Sequence, residues 1–174
     1  MTGNIFLSNL QTITVTVNCK GVMGKGTALV AKHMFPSMFQ FYKNTCRDGA
    51  MRLGSPLLFD KKNKDTIIDD DNYKKILLFP TKNHWKDQSD LTQIEKGLLW
   101  LVENYEKLGV TSLAIPALGC GNGGLEWKDV GPIMCRYLNK MKILIHVYLP
   151  ETVVSPQYLS NEYLLGAKNK ITDF

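Results

Sequence analysis

The chain has 174 residues, which is enough for one domain with a sizeable hydrophobic core. Hydrophobic residues make up 44% and charged residues 21%, as in a soluble globular protein, and no apolar run reaches the roughly 20 residues that span a membrane. The net charge of +5 permits an anionic partner, but the lysines look scattered, and a solvated surface explains the charge equally well.

The four cysteines lie far apart and form no CxxC pair, which predicts neither a zinc ribbon nor a disulfide framework. No cluster of His, Cys and Asp has the spacing of metal ligands, so we expect no metal. The N-terminal "MTGNIFLSNL" lacks the basic region and cleavage site of a secretory signal. We therefore expect a cytoplasmic protein with reduced thiols and no membrane partner.

The first half of the chain predicts one strand and two helices. The alternating β-branched residues of "TITVTV" (12–17) indicate a strand, which leads into the glycine-rich "KGVMGKG" (20–26). "TALVAKHMF" (27–35) has helical propensity and stops before Pro36. A second helix is expected over "SMFQFYKNTC", with Ser37 as its N-cap.

The second half alternates strands and helices. "ILLFP" (76–80) and "TSLAIPAL" (111–118) are typical of strands buried on both faces. Between them, "DLTQIEKGLLWLVENYEKLG" has helical spacing of its apolar residues and Asp90 as a cap. A helix is expected around Pro132, placed in its first turn. The chain then predicts a strand at "ILIHVYL" (143–149) and a short last helix capped by Ser155.

Two glycine-rich stretches, 20–26 and 119–124, each follow a predicted strand and precede a predicted helix. Ligands of open α/β sheets bind at such junctions, where glycine lets backbone N–H groups approach a phosphate. The alternative is that they are tight connections that need positive φ. Neither stretch matches a P-loop or a GxGxxG fingerprint, so ATP hydrolysis and hydride transfer are not supported.

The segments "TVNCKGVMGKGTAL", "LLFPTKNHW" and "AIPALGCGNGGLEW" resemble the macrodomain family over roughly residues 3–149. Within it, they are similar to the branch that removes ADP-ribose from nucleic acid or protein by means of a lysine. The resemblance implies a three-layer α/β/α macrodomain at 1–150, with a mixed, largely buried central sheet. Residues 151–174 would be a helical extension packed on it or leading to a further region.

The resemblance also implies a site. Lys82 matches the catalytic lysine, and His84 and Trp85 are candidate DNA contacts. His84 could instead be an acid or base, or structural, and Trp85 could stack on a nucleobase or cover the cleft edge. No cofactor is implied. The residues that would bind ADP-ribose are Asn4, Ile5, Asn18, Gly21, Val22, Met23, Gly24, Lys25, Gly26, Thr81, Leu118, Gly119, Cys120, Gly121, Asn122 and Gly123.

Two positions depart from the family pattern. Macrodomains usually carry an Asp that accepts the adenine amino group, and the matching residue here is Asn4, which keeps a carbonyl acceptor but no charge. A vertebrate member of the same branch, to which the resemblance is more distant, has a catalytic Asp in the second glycine stretch, where this chain has Gly123. Without that Asp, catalysis would depend mainly on Lys82, although a carboxylate elsewhere, such as Glu126, could supply a base.

A lysine can act on a glycosidic bond in two ways. A free amine could attack the anomeric carbon and form an imine with the opened ribose. Alternatively, a charged ammonium could protonate or stabilise the leaving base or the ribose oxygens, because the bond breaks through an oxocarbenium-like state. The sequence leaves both routes open.

The resemblance predicts a DNA ADP-ribosyl glycohydrolase that acts as an antitoxin. Its partners would be ADP-ribose, ADP-ribosylated DNA and the cognate DNA ADP-ribosyltransferase toxin. The alternatives are a module that binds ADP-ribose without cleaving it, or a hydrolase of ADP-ribosylated protein or O-acetyl-ADP-ribose. Lys82 separates the enzyme from the binding module, which does not need it.

Overall fold

The computed structural model describes residues 1–60, 75–149 and 154–166. Within these ranges, no helix is long and apolar enough to cross a membrane. The strands are β1 (Thr12–Asn18), β2 (Leu57–Asp60), β3 (Lys75–Lys82), β4 (Ser112–Pro116) and β5 (Leu144–Tyr148). The α-helices are α1 (Gly26–Met34), α2 (Pro36–Arg47), α3 (Leu91–Asn104), α4 (Trp127–Leu138) and α5 (Asn161–Leu165). Short 3₁₀ turns cover Ile5–Leu7, Gly121–Gly123 and Pro156–Leu159.

The five strands form one mixed sheet in the order β2-β3-β1-β4-β5. β1 runs parallel to β3 and β4, and β4 runs parallel to β5, while β2 pairs antiparallel with β3 at one edge. The central strands are buried on both faces: Leu78 of β3 belongs to the core cluster on one face and Leu77 to the cluster on the other, and both are 0% exposed. The predicted mixed, largely buried sheet is confirmed.

Helices cover both faces of the sheet. On one face, Phe35 and Met38 from the α1–α2 region belong to a core cluster with Val15. On the other face, residues of α3 and α4 such as Leu98 and Met134 form a second cluster with strand side chains. This arrangement is the three-layer architecture that the sequence predicted, and it leaves the connections at the strand ends exposed for binding.

Helix starts were predicted with mixed success. Asp90 caps α3, because its Oδ1 accepts a hydrogen bond from the Thr92 N–H at 2.9 Å. Ser37 as the N-cap of α2 was wrong: the helix already begins at Pro36, and Phe35 is the cap residue. Proline suits the first helical position, because its N–H would have no partner there.

The expectation that Pro132 lies in a first turn was also wrong. Pro132 lies inside α4, where its missing N–H cannot bond the carbonyl of Lys128. That carbonyl accepts a 2.7 Å hydrogen bond from the Tyr163 hydroxyl instead, so α5 satisfies the group that the proline leaves free. The cap of α5 is Ser160, whose Oγ accepts from the Tyr163 N–H, and not Ser155.

Replacing Gly97 by alanine is expected to lower the free energy of unfolding by up to about 2 kcal/mol. A Cβ at Gly97 in α3 would lie 2.5 Å from Cζ of Phe79, which is fully buried in β3. Overpacking of this kind costs about 1–3 kcal/mol, more than the roughly 1 kcal/mol that alanine gains in a helix. Urea unfolding measures the change. Glu103→Ala, on an exposed position of the same helix, is the control and should shift stability by under about 0.5 kcal/mol.

Candidate active site

Three connections meet at one edge of the sheet, because β1, β3 and β4 are parallel and end there. We call them the first glycine loop (20–26), the lysine loop (82–89) and the second glycine loop (119–124). Hydrogen bonds join neighbouring connections: the Cys19 N–H donates to the Asn83 carbonyl at 3.0 Å, and the Ser89 N–H donates to the Gly123 carbonyl at 2.8 Å. The three loops therefore form one continuous surface.

Asn18 shapes the first glycine loop from its buried position at the end of β1. Its Nδ2 donates to the Val22 carbonyl at 2.6 Å, and its Oδ1 accepts from the Lys20 N–H at 2.9 Å. The hydroxyl of Tyr42 in α2 lies 2.8 Å from the backbone carbonyl oxygen of Asn18 and 3.0 Å from its Oδ1, so it donates to Asn18. Burial raises the pKa of Tyr42, so its phenol stays a neutral donor. The sequence analysis did not identify Tyr42, because its contact with Asn18 is tertiary.

The first glycine loop presents its backbone to solvent. Gly21 and Gly26 have φ of +77° and +55°, which favour glycine. The side chain of Met23 is buried and anchors the loop, while Gly24 and Lys25 are exposed, as is Val22. A Cβ on Gly26 would lie 2.9 Å from Nδ2 of Asn122, so the two glycine loops nearly touch.

Two glycines of the second loop differ in their surroundings. Gly119 and Gly121 have φ of +72° and +71°. A Cβ on Gly119 would lie 2.7 Å from Leu125 and 2.8 Å from Ile94, so this glycine is required by packing. A Cβ on Gly121 would meet nothing within 4 Å. Gly121 therefore borders open space that a ligand could occupy.

Position 123 has no room for the aspartate found in the vertebrate relative. A Cβ on Gly123 would collide with Oγ of Ser89, a buried residue of the lysine loop. Among the described residues, that hydroxyl has no hydrogen-bond partner. Glu126, the other carboxylate considered from the sequence, is exposed and forms a 2.7 Å ion pair with Lys128. The sequence analysis had not identified Ser89.

Lys82 lies at the end of β3, partly buried, between the lysine loop and the second glycine loop. Its Nζ donates to the carbonyl of Asn122 at 2.9 Å and to the carbonyl of Asp87 at 3.1 Å. No carboxylate of the described residues forms an ion pair with it. The structure thus places the Lys82 amine between the lysine loop and the second glycine loop, where two backbone carbonyls accept its hydrogen bonds.

The lysine loop also carries the two candidate DNA contacts. Nδ1 of His84 accepts from the Lys86 N–H at 3.2 Å, which leaves Nε2 as the N–H of the neutral ring. The Trp85 side chain is 46% exposed, its ring centroid lies 5.0 Å from that of His84, and Nζ of Lys86 lies 4.8 Å from it. The lysine loop therefore carries a large, partly exposed aromatic surface that packs beside His84 and Lys86.

Several of the remaining predicted residues are buried, and Asn4 makes a local hydrogen bond. The side chains of Ile5, Thr81 and Leu118 are buried. Oδ1 of Asn4 accepts from the Phe6 N–H at 3.0 Å and caps the 3₁₀ turn at Ile5–Leu7.

The thiols beside the cleft are poor nucleophiles. Burial, with a smaller contribution from Cys46, raises the pKa of Cys19 to about 11. Burial, with Asp129 adding to it, raises the pKa of Cys120 to about 11 as well. Both thiols are therefore neutral near pH 7. Across the described ranges, no three His, Cys, Asp or Glu residues cluster as metal ligands would.

Comparisons with known proteins agree with this geometry. The family model described as "Macro domain" matches residues 15–134. A DNA ADP-ribosyl transferase-DNA ADP-ribosyl glycohydrolase fusion protein of Thermosipho africanus is 46% identical over 95% of this chain. A DNA ADP-ribosyl glycohydrolase of Mycobacterium tuberculosis is 40% identical over 74% of it. The chain spans only 45% of the first relative and 35% of the second.

Solved structures give the same result. Thermosipho africanus DarTG in complex with ADP-ribose superposes with a TM-score of 0.87 at 46% identity, covering 94% of this chain and 44% of that one. The macrodomain of Mycobacterium tuberculosis DarG superposes with a TM-score of 0.76 at 34% identity, covering 87% of this chain and 96% of that one.

Proposed function

The chain belongs to the macrodomain family, and from that membership we propose that it is a DNA ADP-ribosyl glycohydrolase, which releases ADP-ribose from modified DNA bases. The observation that carries the proposal is the position of Lys82. Its amine is fixed by the Asn122 carbonyl at the junction of the lysine loop and the second glycine loop. A protein that only binds ADP-ribose has no need of an amine there.

The two glycine loops would hold the diphosphate. Gly21 and Gly26 in one loop, and Gly121 in the other, have positive φ, a backbone conformation that is found in anion-binding loops. The loops approach each other at Gly26 and Asn122, so one ligand could contact both. Such donors bind phosphate without side-chain charge, which leaves Lys82 free to act at the ribose.

Lys82 would act at the anomeric carbon by one of two routes. As an ammonium, it would stabilise negative charge on the leaving base or donate a proton to it. As a free amine, it would attack the carbon, and the base would leave as the ribose opens to an imine that water then hydrolyses. No side chain at position 123 can assist, because that residue is a glycine.

The biological role would be that of an antitoxin. The Thermosipho africanus relative is named as a fusion of a DNA ADP-ribosyl transferase with a DNA ADP-ribosyl glycohydrolase. This chain would correspond to the glycohydrolase part of that name. Its partners would be ADP-ribosylated DNA and a transferase toxin whose product it removes. The reaction would take place in the cytoplasm. The domain would end near residue 150, with residues 151–174 as its extension.

A comparison of substrates tests the proposal. The protein is incubated separately with ADP-ribosylated DNA, ADP-ribosylated protein and O-acetyl-ADP-ribose, and free ADP-ribose is followed over time by chromatography. We expect the largest rate constant with DNA. A faster reaction with ADP-ribosylated protein or with O-acetyl-ADP-ribose would show that this compound, and not DNA, is the preferred substrate. Binding without release of ADP-ribose from any of the three would show that the chain is a binding module.

Asn4 is expected to contribute weakly to ADP-ribose affinity. If it lies at the adenine end, Asn4→Ala removes one neutral acceptor and should weaken binding by less than about tenfold, or 1.4 kcal/mol. Asn4→Asp is the matched variant, since aspartate keeps the cap of the 3₁₀ turn and adds the charge that is usual in the family. Calorimetry measures both. Complete loss of binding in Asn4→Ala, or equal affinity for an analogue without adenine, would contradict the assignment.

A further inference from the structure

The formal charge of the chain is distributed very unevenly along the sequence. Residues 1–47 contain no Asp or Glu, but they contain Lys20, Lys25, Lys32, Lys43 and Arg47. All 16 acidic residues lie in 48–174, where they match the other 16 basic residues in number. The net charge of +5 therefore resides entirely in the first 47 residues, which build β1, the first glycine loop, α1 and α2.

The fold brings two of these lysines together on one surface. Nζ of Lys32 in α1 lies 4.8 Å from the ring centroid of Phe39, and Nζ of Lys43 in α2 lies 5.8 Å from the same centroid. Neither lysine forms an ion pair with any described residue, whereas Arg47 is paired with Asp48 at 3.1 Å. We call the surface formed by Lys32, Phe39 and Lys43 the basic face.

The basic face adjoins the candidate active site. A Cβ on Gly21 in the first glycine loop would lie 3.8 Å from Cα and 3.9 Å from Cγ of Lys43. Phe39 also packs against Tyr42, with ring centroids 6.4 Å apart. Tyr42 in turn donates its hydroxyl to Asn18 at the base of that loop. The two lysines are thus held in a fixed relation to the loop.

We propose that the basic face binds the phosphate backbone of the DNA strand that carries the ADP-ribosylated base. The proposal rests on the proposed function and adds a second contact region to it. Lysines that form no ion pair with a described residue attract phosphodiesters independently of sequence, and each contact releases counterions. Because the face lies beside the first glycine loop, it would hold nucleotides that flank the modified one, outside the ADP-ribose cleft.

The test uses the double variant Lys32→Gln/Lys43→Gln, which removes both charges and keeps most of each side-chain stem. The matched control is Lys107→Gln/Lys140→Gln. Lys140 also has its Nζ beside an aromatic ring, 4.9 Å from the centroid of Tyr137, but it follows the far end of α4. Lys32→Arg/Lys43→Arg keeps the charge and should behave as the wild type, which separates charge from packing.

Binding of an unmodified single-stranded oligonucleotide, measured by fluorescence anisotropy, gives a readout independent of catalysis. The Gln variant should bind about tenfold more weakly, and its slope of log affinity against log salt should fall by about 1.4, or about 0.7 per lost phosphate contact. The control should keep the wild-type affinity and slope. Equal behaviour of the Gln variant and the control, whether both bind or both fail, would overturn the proposal.

Cleavage kinetics give the second readout. For a long ADP-ribosylated oligonucleotide, the Gln variant should raise KM about tenfold with little change in kcat. For an ADP-ribosylated mononucleoside, which has no flanking phosphates, both constants should match the wild type. An equal rise in KM for both substrates would assign the lysines to the cleft and overturn the proposal. If the wild type cleaves neither substrate, the proposed function fails. The anisotropy measurement then still shows whether the basic face binds the DNA backbone.

Discussion

Lys82→Ala is expected to slow the release of ADP-ribose from modified DNA by about 100-fold or more, while the affinity for free ADP-ribose changes far less. A factor of this size is the usual cost of losing one positioned acid, base or nucleophile. Affinity should persist, because the phosphate donors are backbone groups of the two glycine loops. The fold should persist too, since the Asn122 and Asp87 residues whose carbonyls lose their donor are exposed and can bond water.

The rate at saturating modified DNA and the calorimetric Kd for ADP-ribose together measure this prediction. Lys86→Ala is the control: Lys86 is a second lysine of the same loop, but its Nζ lies over Trp85 and not between the loops. It should retain a rate within a few-fold of the wild type. Cleavage by Lys82→Ala at the wild-type rate would remove the lysine from the mechanism.

Lys82→Arg distinguishes the two routes that the structure leaves open. Arginine keeps the positive charge but does not become a free amine near neutral pH. If the ammonium acts electrostatically, Lys82→Arg should recover part of the rate that Lys82→Ala loses. If the amine is the nucleophile, Lys82→Arg should be as slow as Lys82→Ala, and borohydride added during turnover should trap ADP-ribose covalently on the wild type alone.

Gly121→Leu is expected to weaken ADP-ribose binding by more than tenfold, or 1.4 kcal/mol. The side chain would project from the second glycine loop into a space where a Cβ meets no atom within 4 Å. In the proposed function, that space holds part of the ligand. The substitution also strains the backbone, because φ is +71° at this position.

Gly49→Leu separates the effect of backbone strain from the effect of a side chain in the ligand space. Gly49 has φ of +70°, and a Cβ there also meets no atom within 4 Å, but it follows α2 outside the three loops. Both variants should lose about 1–2 kcal/mol of stability from backbone strain. Calorimetry should show weakened ADP-ribose binding only in Gly121→Leu. Wild-type affinity in Gly121→Leu would mean that the ligand does not approach the second glycine loop.

The sequence predicted the architecture well where hydrophobic burial decides it. The central residues of β3 and β4 form continuous apolar runs, because both faces of these strands are covered by helices. β2 was not predicted, since it has only four residues and pairs at the sheet edge through β3. Pro132 was misplaced because its cost inside α4 is offset by Tyr163, a partner that no local rule reveals.

The candidate site was predictable in part. The glycine loops follow from local sequence, and the role of Lys82 comes from the family resemblance and not from spacing. Tyr42 and Ser89 were missed, because Tyr42 lies 24 residues from Asn18 and Ser89 acts by filling the space beside Gly123. Lys32 and Lys43 look scattered in the sequence, and only the packing of α1 against α2 brings both amines close to the ring of Phe39.

A single-turnover reaction tests the central claim most directly. Wild-type protein in excess is mixed with DNA ADP-ribosylated on a base, and both products are analysed by mass spectrometry as a function of time. The account predicts one equivalent of free ADP-ribose for each unmodified base recovered, formed about 100-fold or more faster than with Lys82→Ala. Wild-type protein that binds the DNA and leaves the modification intact would contradict the account and make the chain a binding module.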